Sequence, residues 1–217
     1  LKIGRKEKPF NVHKGLLCHY SKYFNAAFNG GFKEANEDTI SLREVTVKVF
    51  GIVFDWLYTQ QILGLPCSTI REQCSTTNKR SECHANLEVI PILEVYVFGD
   101  CYDMPGLRAA ATYLYHHIYL VHHPHSWPNF DAVVTAWKNL PESALIRRMI
   151  LDLYSDRYDQ SRLTSQGQKT LHLLPEDFVR EMMGRLSHRP HVGHSSFIAS
   201  FAADPKVYLE ETGPQNP

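Results

Sequence analysis

FNVHKGLLCHYSKYFNAAFNGGFKEA, Phe10 to Ala35, decides how this chain folds. From His13 onward Leu16, Leu17, Tyr20, Tyr23, Phe24, Ala27 and Phe28 recur at three- and four-residue steps, the spacing that keeps side chains on one helical face. Ser21 stands where a helix N-cap is wanted, its hydroxyl able to accept from a free backbone N–H. Gly30-Gly31 should stop the helix, because glycine tolerates the left-handed turn that ends helices. The same stretch holds His13, Cys18 and His19, which raises the question of an active site. A thiol nucleophile needs a base within reach and a third group to orient that base. His13 and Cys18 lie five residues apart at a strand-to-helix corner, with no third group evident. The competing reading makes His13 a largely buried structural histidine and Cys18 a small core hydrophobe.

Outward from this stretch the pattern continues. LKIG and RKEKPFNVH read as two short strands around a charged turn, with Pro9 suited to an edge or a strand start. DTISLREV alternates Ile40 and Leu42 with polar neighbours, a short half-buried strand. Val47, Phe50, Phe54 and Leu57 mark a helix, and Ile52, Val53, Trp56 and Tyr58 widen its apolar face until it should be surrounded. Residues 63–86 are rich in Ser, Thr, Asn and charge and read as a mobile inserted loop. A further helix is expected with Leu87, Ile90, Leu93, Val97 and Cys101 on its buried face. Another restarts at Met104-Pro105-Gly106 and carries Leu107, Ala110, Ala111, Leu114 and Ile118. Tyr23, Phe54 and Val97 are expected to share one interior. HHPHSWPN is the expected domain boundary, giving domains of 1–120 and 121–217. Beyond it Phe130–Leu140, Pro141–Tyr158 and Pro175–Leu186 read as helices, and Ser187–Pro217 as a partly disordered tail.

The totals narrow the function. Hydrophobic and aromatic contents of 43% and 12% predict a packed core. A formal net charge of zero argues against nucleic-acid binding, which needs a concentrated positive surface. The five cysteines are irregularly spaced, and no signal-like apolar segment precedes them, so a reducing intracellular setting, nucleus or cytoplasm, is expected. No apolar run approaches the ~20 residues of a membrane span. The chain opens at Leu1 inside what reads as a strand, and a Val/Ile-rich strand with a short helix is expected to precede it.

Motifs of common chemistries are missing: no phosphate-binding glycine loop, no His-Glu-x-x-His, no Cys-x-x-Cys and no Gly-x-Ser-x-Gly. Cys67, Cys74, Cys83 and His84 have gaps too wide for a zinc knuckle, and their adjacent pair hinders tetrahedral convergence. The histidines of HHIYLVHHPH, His116 to His125, suit a metal, but equally a helix carboxyl end, where the macrodipole favours positive charge. Asp100, Asp103, Glu142 and Asp152 read as helix-face and capping carboxylates. No catalytic, cofactor or metal site is assigned.

Taken together the segments resemble the BTB/POZ domain, in the divergent form abundant in filamentous fungi. Three strings carry the resemblance: FNVHKGLLCHYSKYFNAAFNGGFKEA, ISLREVTVKVFGIVFDWLYTQQI and LEVYVFGDCYDMPGLRAAATYLY. The matching residues are His13-Lys14 at a strand end and Ser21, Tyr23 and Phe24 at a helix start. Trp56-Leu57-Tyr58-Thr59-Gln60 stands at a helix end where the family string closes on glycine, and Gly99-Asp100, Tyr102, Met104 and Leu107 stand at the next helix. Two departures stand out: the family's first strand and amino-terminal helix, which normally carry much of the dimer contact, and the insert at 63–86.

The resemblance implies an α+β, mainly helical fold: about five helices flanked by a small sheet, then a C-terminal helical region in the place of a BACK-like extension. It also implies a non-enzymatic protein–protein interaction module, without cofactor and without direct nucleic-acid or membrane binding. Its expected partners are proteins, a second copy through the region before Leu1, or a cullin. Relatives that serve as substrate adaptors of cullin-type ubiquitin ligases carry a hydrophobic-x-Glu triplet, matched in place by Phe32, Lys33 and Glu34. In that role Phe32 inserts between cullin side chains and Glu34 accepts a polar contact. A transcription or chromatin co-regulator is a further alternative, but it needs a DNA-binding partner domain.

Overall fold

A computed structural model describes residues 1–30, 39–62, 89–122, 127–158, 161, 165–187 and 205–209. The expected insert at 63–86 and the triplet Phe32-Lys33-Glu34 lie outside them, as does most of the tail after Ser187. The chain forms two compact units, Leu1–Ala111 and Thr112–Pro217.

The first unit opens with a three-stranded sheet in the order β2-β1-β3. β1 (Lys2–Ile3) and β2 (Lys8–Pro9) are antiparallel, with Lys2 opposite Pro9 and Ile3 opposite Lys8. Pro9 sits on the edge strand, where its missing N–H costs no ladder bond. β3 (Ser41–Leu42) runs parallel to β1, so Ile3 and Leu42 sit side by side, 0% and 5% exposed. In the turn between β1 and β2, Gly4 takes φ +73°, which glycine adopts without Cβ strain, and Glu7 pairs with Lys2 and Arg43.

The helical run expected from His13 is two helices. α1 (Lys14–Tyr20) and α2 (Lys22–Asn29) meet at Ser21, whose φ of −136° and ψ of 118° are extended. The hydroxyl of Ser21 accounts for the break: Oγ accepts from the Phe24 amide at 3.0 Å as an N-cap. It also donates to the Tyr102 carbonyl at 2.5 Å, across 81 positions of sequence. α2 stops at Asn29 as expected, but Gly30 is extended (φ −87°, ψ 153°), not left-handed; its amide still reaches the Ala26 carbonyl.

α3 (Val47–Thr59) is capped by Thr46 Oγ1, which accepts from Val49, and ends at Gln60 in the left-handed region (φ 56°, ψ 21°), where the family string has glycine. It is not surrounded. Val49, Phe50, Ile52, Val53, Trp56 and Leu57 are buried, while Val47 and Tyr58 are exposed. α4 (Val89–Cys101) buries Ile92, Leu93, Val95, Tyr96, Phe98 and Gly99. The expected face of Ile90, Leu93, Val97 and Cys101 is wrong at its end, because Cys101 is exposed and Val97 half-buried. An almost wholly apolar helix carries too little periodicity to say which side is in.

α4 turns sharply into α5 (Pro105–His117). The Met104 amide reaches back to the Gly99 carbonyl at 2.7 Å and the Asp103 amide to Asp100 at 3.3 Å, with Asp103 at φ 46°. This is the paired bonding of a Schellman helix end. Gly99 is needed there, since a Cβ would stand 2.9 Å from Arg108 Cγ and 3.3 Å from the Met104 oxygen. Gly106 likewise gives way to the Trp56 ring, 3.3 Å from where its Cβ would be.

In the second unit α5 is followed by a π-turn (Ile118–His122), α6 (Phe130–Asn139), α7 (Leu145–Arg157), α8 (Ser165–Thr170) and α9 (Glu176–Ser187), with a 3-10 turn at Pro205–Tyr208. Asn129 caps α6 through Oδ1, which accepts from Ala132 at 2.8 Å. Tyr154 of α7 fills the core: its ring stacks on Phe130, meets Phe178 edge-on at 5.0 Å, and its hydroxyl donates to the Pro128 carbonyl. The guanidinium of Arg147 lies 4.4 Å over the Trp137 ring and donates to Leu140. Asp152 accepts from Arg185 of α9 and from the Tyr208 hydroxyl at 2.7 Å.

Candidate protein-interaction surface

The interior of the first unit is an aromatic stack. Phe24 is fully buried, lies nearly parallel to Tyr102 at 5.3 Å and touches Phe28. Phe98 bridges Tyr102 at 4.4 Å to Phe50 at 6.0 Å. Tyr23, Phe54 and Val97 do not share it as expected: Tyr23 is 45% exposed, and the other two are half-buried. Each lies one position or one turn from a residue that does, Phe24, Phe50 and Phe98.

His13 is exposed, not largely buried. Its amide donates to the Tyr58 hydroxyl at 3.2 Å, and its Nδ1 lies 2.9 Å from the same oxygen. A phenol that accepts from an amide has its proton left to give, so Tyr58 holds the His13 ring as well as its backbone. Cys18 points elsewhere, its thiol 3.9 Å from the Phe24 carbonyl and its sulfur 3.8 Å from Asn29. The two side chains have separate partners and form no nucleophile–base pair. Among the described residues no group of three or more His, Cys, Asp or Glu could hold a metal ion, and no helix is long and apolar enough to cross a membrane. A cavity of about 240 Å³ lined by Leu1, Val12, Lys14, Leu17 and Phe28 is smaller than the ~300–1,000 Å³ of ordinary ligand pockets and has Lys14 as its one ionisable side chain.

Among the described residues of the first unit, two surfaces carry exposed aromatic side chains. At the first, Tyr23 leans edge-on against Tyr102 at 5.2 Å where α2 meets the end of α4. Burial, then the neighbouring Cys101 and Tyr23, push the Tyr102 phenol up to about 12, and partial desolvation, then Asp100, raise the thiol of the solvent-exposed Cys101. Both shifts favour the neutral forms of these groups. Ser21 holds this junction closed, and Phe32-Lys33-Glu34 begins two residues after Gly30. The second surface is the outer side of α3. There Phe54 packs 4.9 Å from Tyr58 and 6.0 Å from Phe10, and Tyr58 is 42% exposed.

The remaining family-motif positions are structural. Lys14 opens α1 with Nζ 5.3 Å over the Phe28 ring. Trp56 and Leu57 are both 2% exposed, Trp56 with Tyr20 edge-on at 5.2 Å. Asp100 is half-buried in the last turn of α4. Nothing in the sequence announced the Ser21–Tyr102 bond, because its two ends are so far apart. The contact of exposed Tyr23 with half-buried Tyr102 was hidden by the same periodicity that flagged the core.

Ser21→Ala is expected to remove the cap and leave the Tyr102 carbonyl unpaired, a loss of about 2 kcal/mol that urea unfolding of the first unit would register. A loss below about 0.5 kcal/mol would mean that the hydroxyl does not hold the junction.

Residues 1–76 match the family model described as BTB/POZ domain. This part of the chain is a BTB/POZ domain. The buried Phe24, the Ser21 cap and the surface pair His13–Tyr58 all lie within the matched residues. Among curated proteins, the chain is similar to Kelch-like protein 21 of Danio rerio, 24% identical over 93% of this chain and 33% of that protein. It is similar to human Kelch-like protein 30, 27% identical over 75% of this chain and 28% of that one. Kelch-like ECH-associated protein 1A of Danio rerio is 37% identical over 34% of this chain and 12% of its own length. The chain thus spans a third or less of these relatives.

Proposed function

We propose that this protein is a non-enzymatic interaction module, which joins protein partners through the helical faces of its BTB/POZ domain. The observation that carries the reading is the division of labour in the aromatic residues: Phe24, Phe50 and Phe98 close the interior, while Tyr23 and Tyr58 are left 45% and 42% exposed. Aromatic side chains at a surface supply large contact area at low entropic cost and are frequent interface anchors. Apolar burial of this kind returns about 25 cal/mol per Å² before association costs.

A second reading makes the protein a substrate adaptor for a cullin-type ubiquitin ligase. The Phe32-Lys33-Glu34 triplet and the similarity to Kelch-like proteins favour it. The triplet lies three positions beyond the end of α2 in sequence. Phe32→Ala is expected to weaken capture of a purified cullin amino-terminal domain at least about tenfold with the thermal midpoint unchanged. Equal binding by the variant and the parent chain would remove the adaptor reading and leave the interaction module standing.

A further inference from the structure

Ser41 of β3 carries an exposed side chain whose hydroxyl has no hydrogen-bond partner among the described residues. Ser21, Thr46 and Thr59 instead have theirs in helix caps and bonds to backbone carbonyls. β3 lies at an edge of the sheet. The Ile40 and Leu42 carbonyls accept from the Lys2 and Gly4 amides at 2.9 and 3.0 Å, so the Ser41 carbonyl between them faces the open side. Lys2 stands beside Ser41 in the parallel register, while Ile3 and Leu42 turn into the core, so Lys2 and Ser41 share the outer face. Arg43 ends there as well, because the Glu7 carboxylate lies 3.6 Å from Lys2 Nζ and 3.2 Å from Arg43 Nη2. Glu7 reaches both from a left-handed backbone, φ 49°, which a residue with a Cβ takes up only when its surroundings hold it.

We propose that Ser41 is a phosphorylation site, and that its phosphate takes Lys2 and Arg43 away from Glu7. In the transfer, Ser41 Oγ attacks the terminal phosphorus of a nucleoside triphosphate held by a protein kinase. A bond from Oγ to phosphorus forms and the bond from that phosphorus to the bridging oxygen breaks. A nucleoside diphosphate leaves, and a carboxylate of the kinase takes the hydroxyl proton. An extended edge with unpaired backbone groups is a segment that a second protein can read strand to strand. The product places a charge of about −1.5 to −2 and three acceptor oxygens beside two cations, where a phosphate gains charge-assisted hydrogen bonds. Neighbouring strands lie only ~4.8 Å apart, so the Lys2 side chain reaches the phosphate without movement of the sheet. Arg43 reaches it from two positions along the chain. Lys2, Arg43 and Glu7 together are net positive, and the phosphate makes this face net negative. Glu7 then loses the contacts that hold its left-handed turn. One modification thus reverses the charge of the outer face and loosens the connection between β1 and β2.

Neither step depends on which partner the domain binds, so the test is separate from cullin capture. The whole chain is incubated with magnesium-ATP and a purified serine kinase that selects an acidic residue three positions after its acceptor, a place that the exposed Glu44 fills. Fragmentation mass spectrometry is expected to locate phosphate on Ser41, Ser41→Ala to lose it, and Glu44→Ala to slow its appearance. A synthetic peptide of residues 37–47 is the reference. Labelling of the peptide but not of the chain would mean that the fold withholds the hydroxyl, and labelling of neither would mean that the segment is no kinase substrate. Either result overturns the proposal. Phosphorus NMR of the labelled chain then reads the capture of the cations. The second ionisation of the phosphate, ~6 for an ordinary phosphoserine, should fall below that of the phosphopeptide, because adjacent cations favour the dianion. Lys2→Gln with Arg43→Gln should abolish that difference. A chain phosphate that titrates as the peptide does, or that is indifferent to both substitutions, would show that Glu7 keeps its partners and would overturn the exchange.

Discussion

Phe24→Ala is expected to cost the BTB/POZ domain about 3–5 kcal/mol, most or all of what holds a domain of this size together. The ring is 0% exposed and stands where α2 meets the end of α4. It lies nearly parallel to Tyr102, touches Phe28 one turn on and has Tyr23 against its edge. Truncation would leave a cavity walled by other rings, which cannot collapse without moving α4 off α2. Its backbone amide is the donor that Ser21 caps, so the damage is to packing, and the cap survives. Urea unfolding followed by Trp56 fluorescence reads this directly, because Trp56 is the tryptophan of the first unit. A midpoint within about 0.5 kcal/mol of the parent would show that Phe24 is not the keystone of this interior.

Tyr154→Ala should do comparable harm in the second unit, about 3–5 kcal/mol. The residue is 1% exposed, stacked on Phe130 and edge-on to Phe178, so three helices lose a common neighbour. Tyr154→Phe separates the two contributions. It keeps the ring and strands the Pro128 carbonyl, which should cost about 1–3 kcal/mol. Burial, with Tyr119 and Tyr158 beside it, raises the Tyr154 phenol far above its ordinary value, so the hydroxyl stays a donor at any working pH. Trp127 and Trp137 report this unit. Equal losses from the alanine and phenylalanine variants would assign the stability to the hydrogen bond instead of the ring.

What the sequence made legible was local chemistry. Ser21 reads as an N-cap through its own hydroxyl, and Pro9 as an edge residue and Gly30 as a helix stop through their own backbones, and each is found in that place. The helices of the second unit were readable from their periodicity, although α7 begins at Leu145, four residues after Pro141. Long-range causes were not legible. The kink between α1 and α2 depends on a carbonyl 81 residues away, and the orientation of α4 on which neighbours surround it. His13 was misplaced because its bond to Tyr58 satisfies it at the surface. Of the candidate sites, the aromatic edge beside Tyr102 becomes visible only when α2 and α4 are brought together.

The Ser21 latch has a consequence for how the first unit tolerates added length. It fastens the start of α2 to the end of α4 directly, so closure does not depend on the path taken between Ile62 and Val89. Doubling the length of such a connection raises its closure entropy by only about 0.6 kcal/mol. That stretch is therefore a natural insertion point, where a fluorescent reporter or affinity tag could be spliced without unseating the helical cluster.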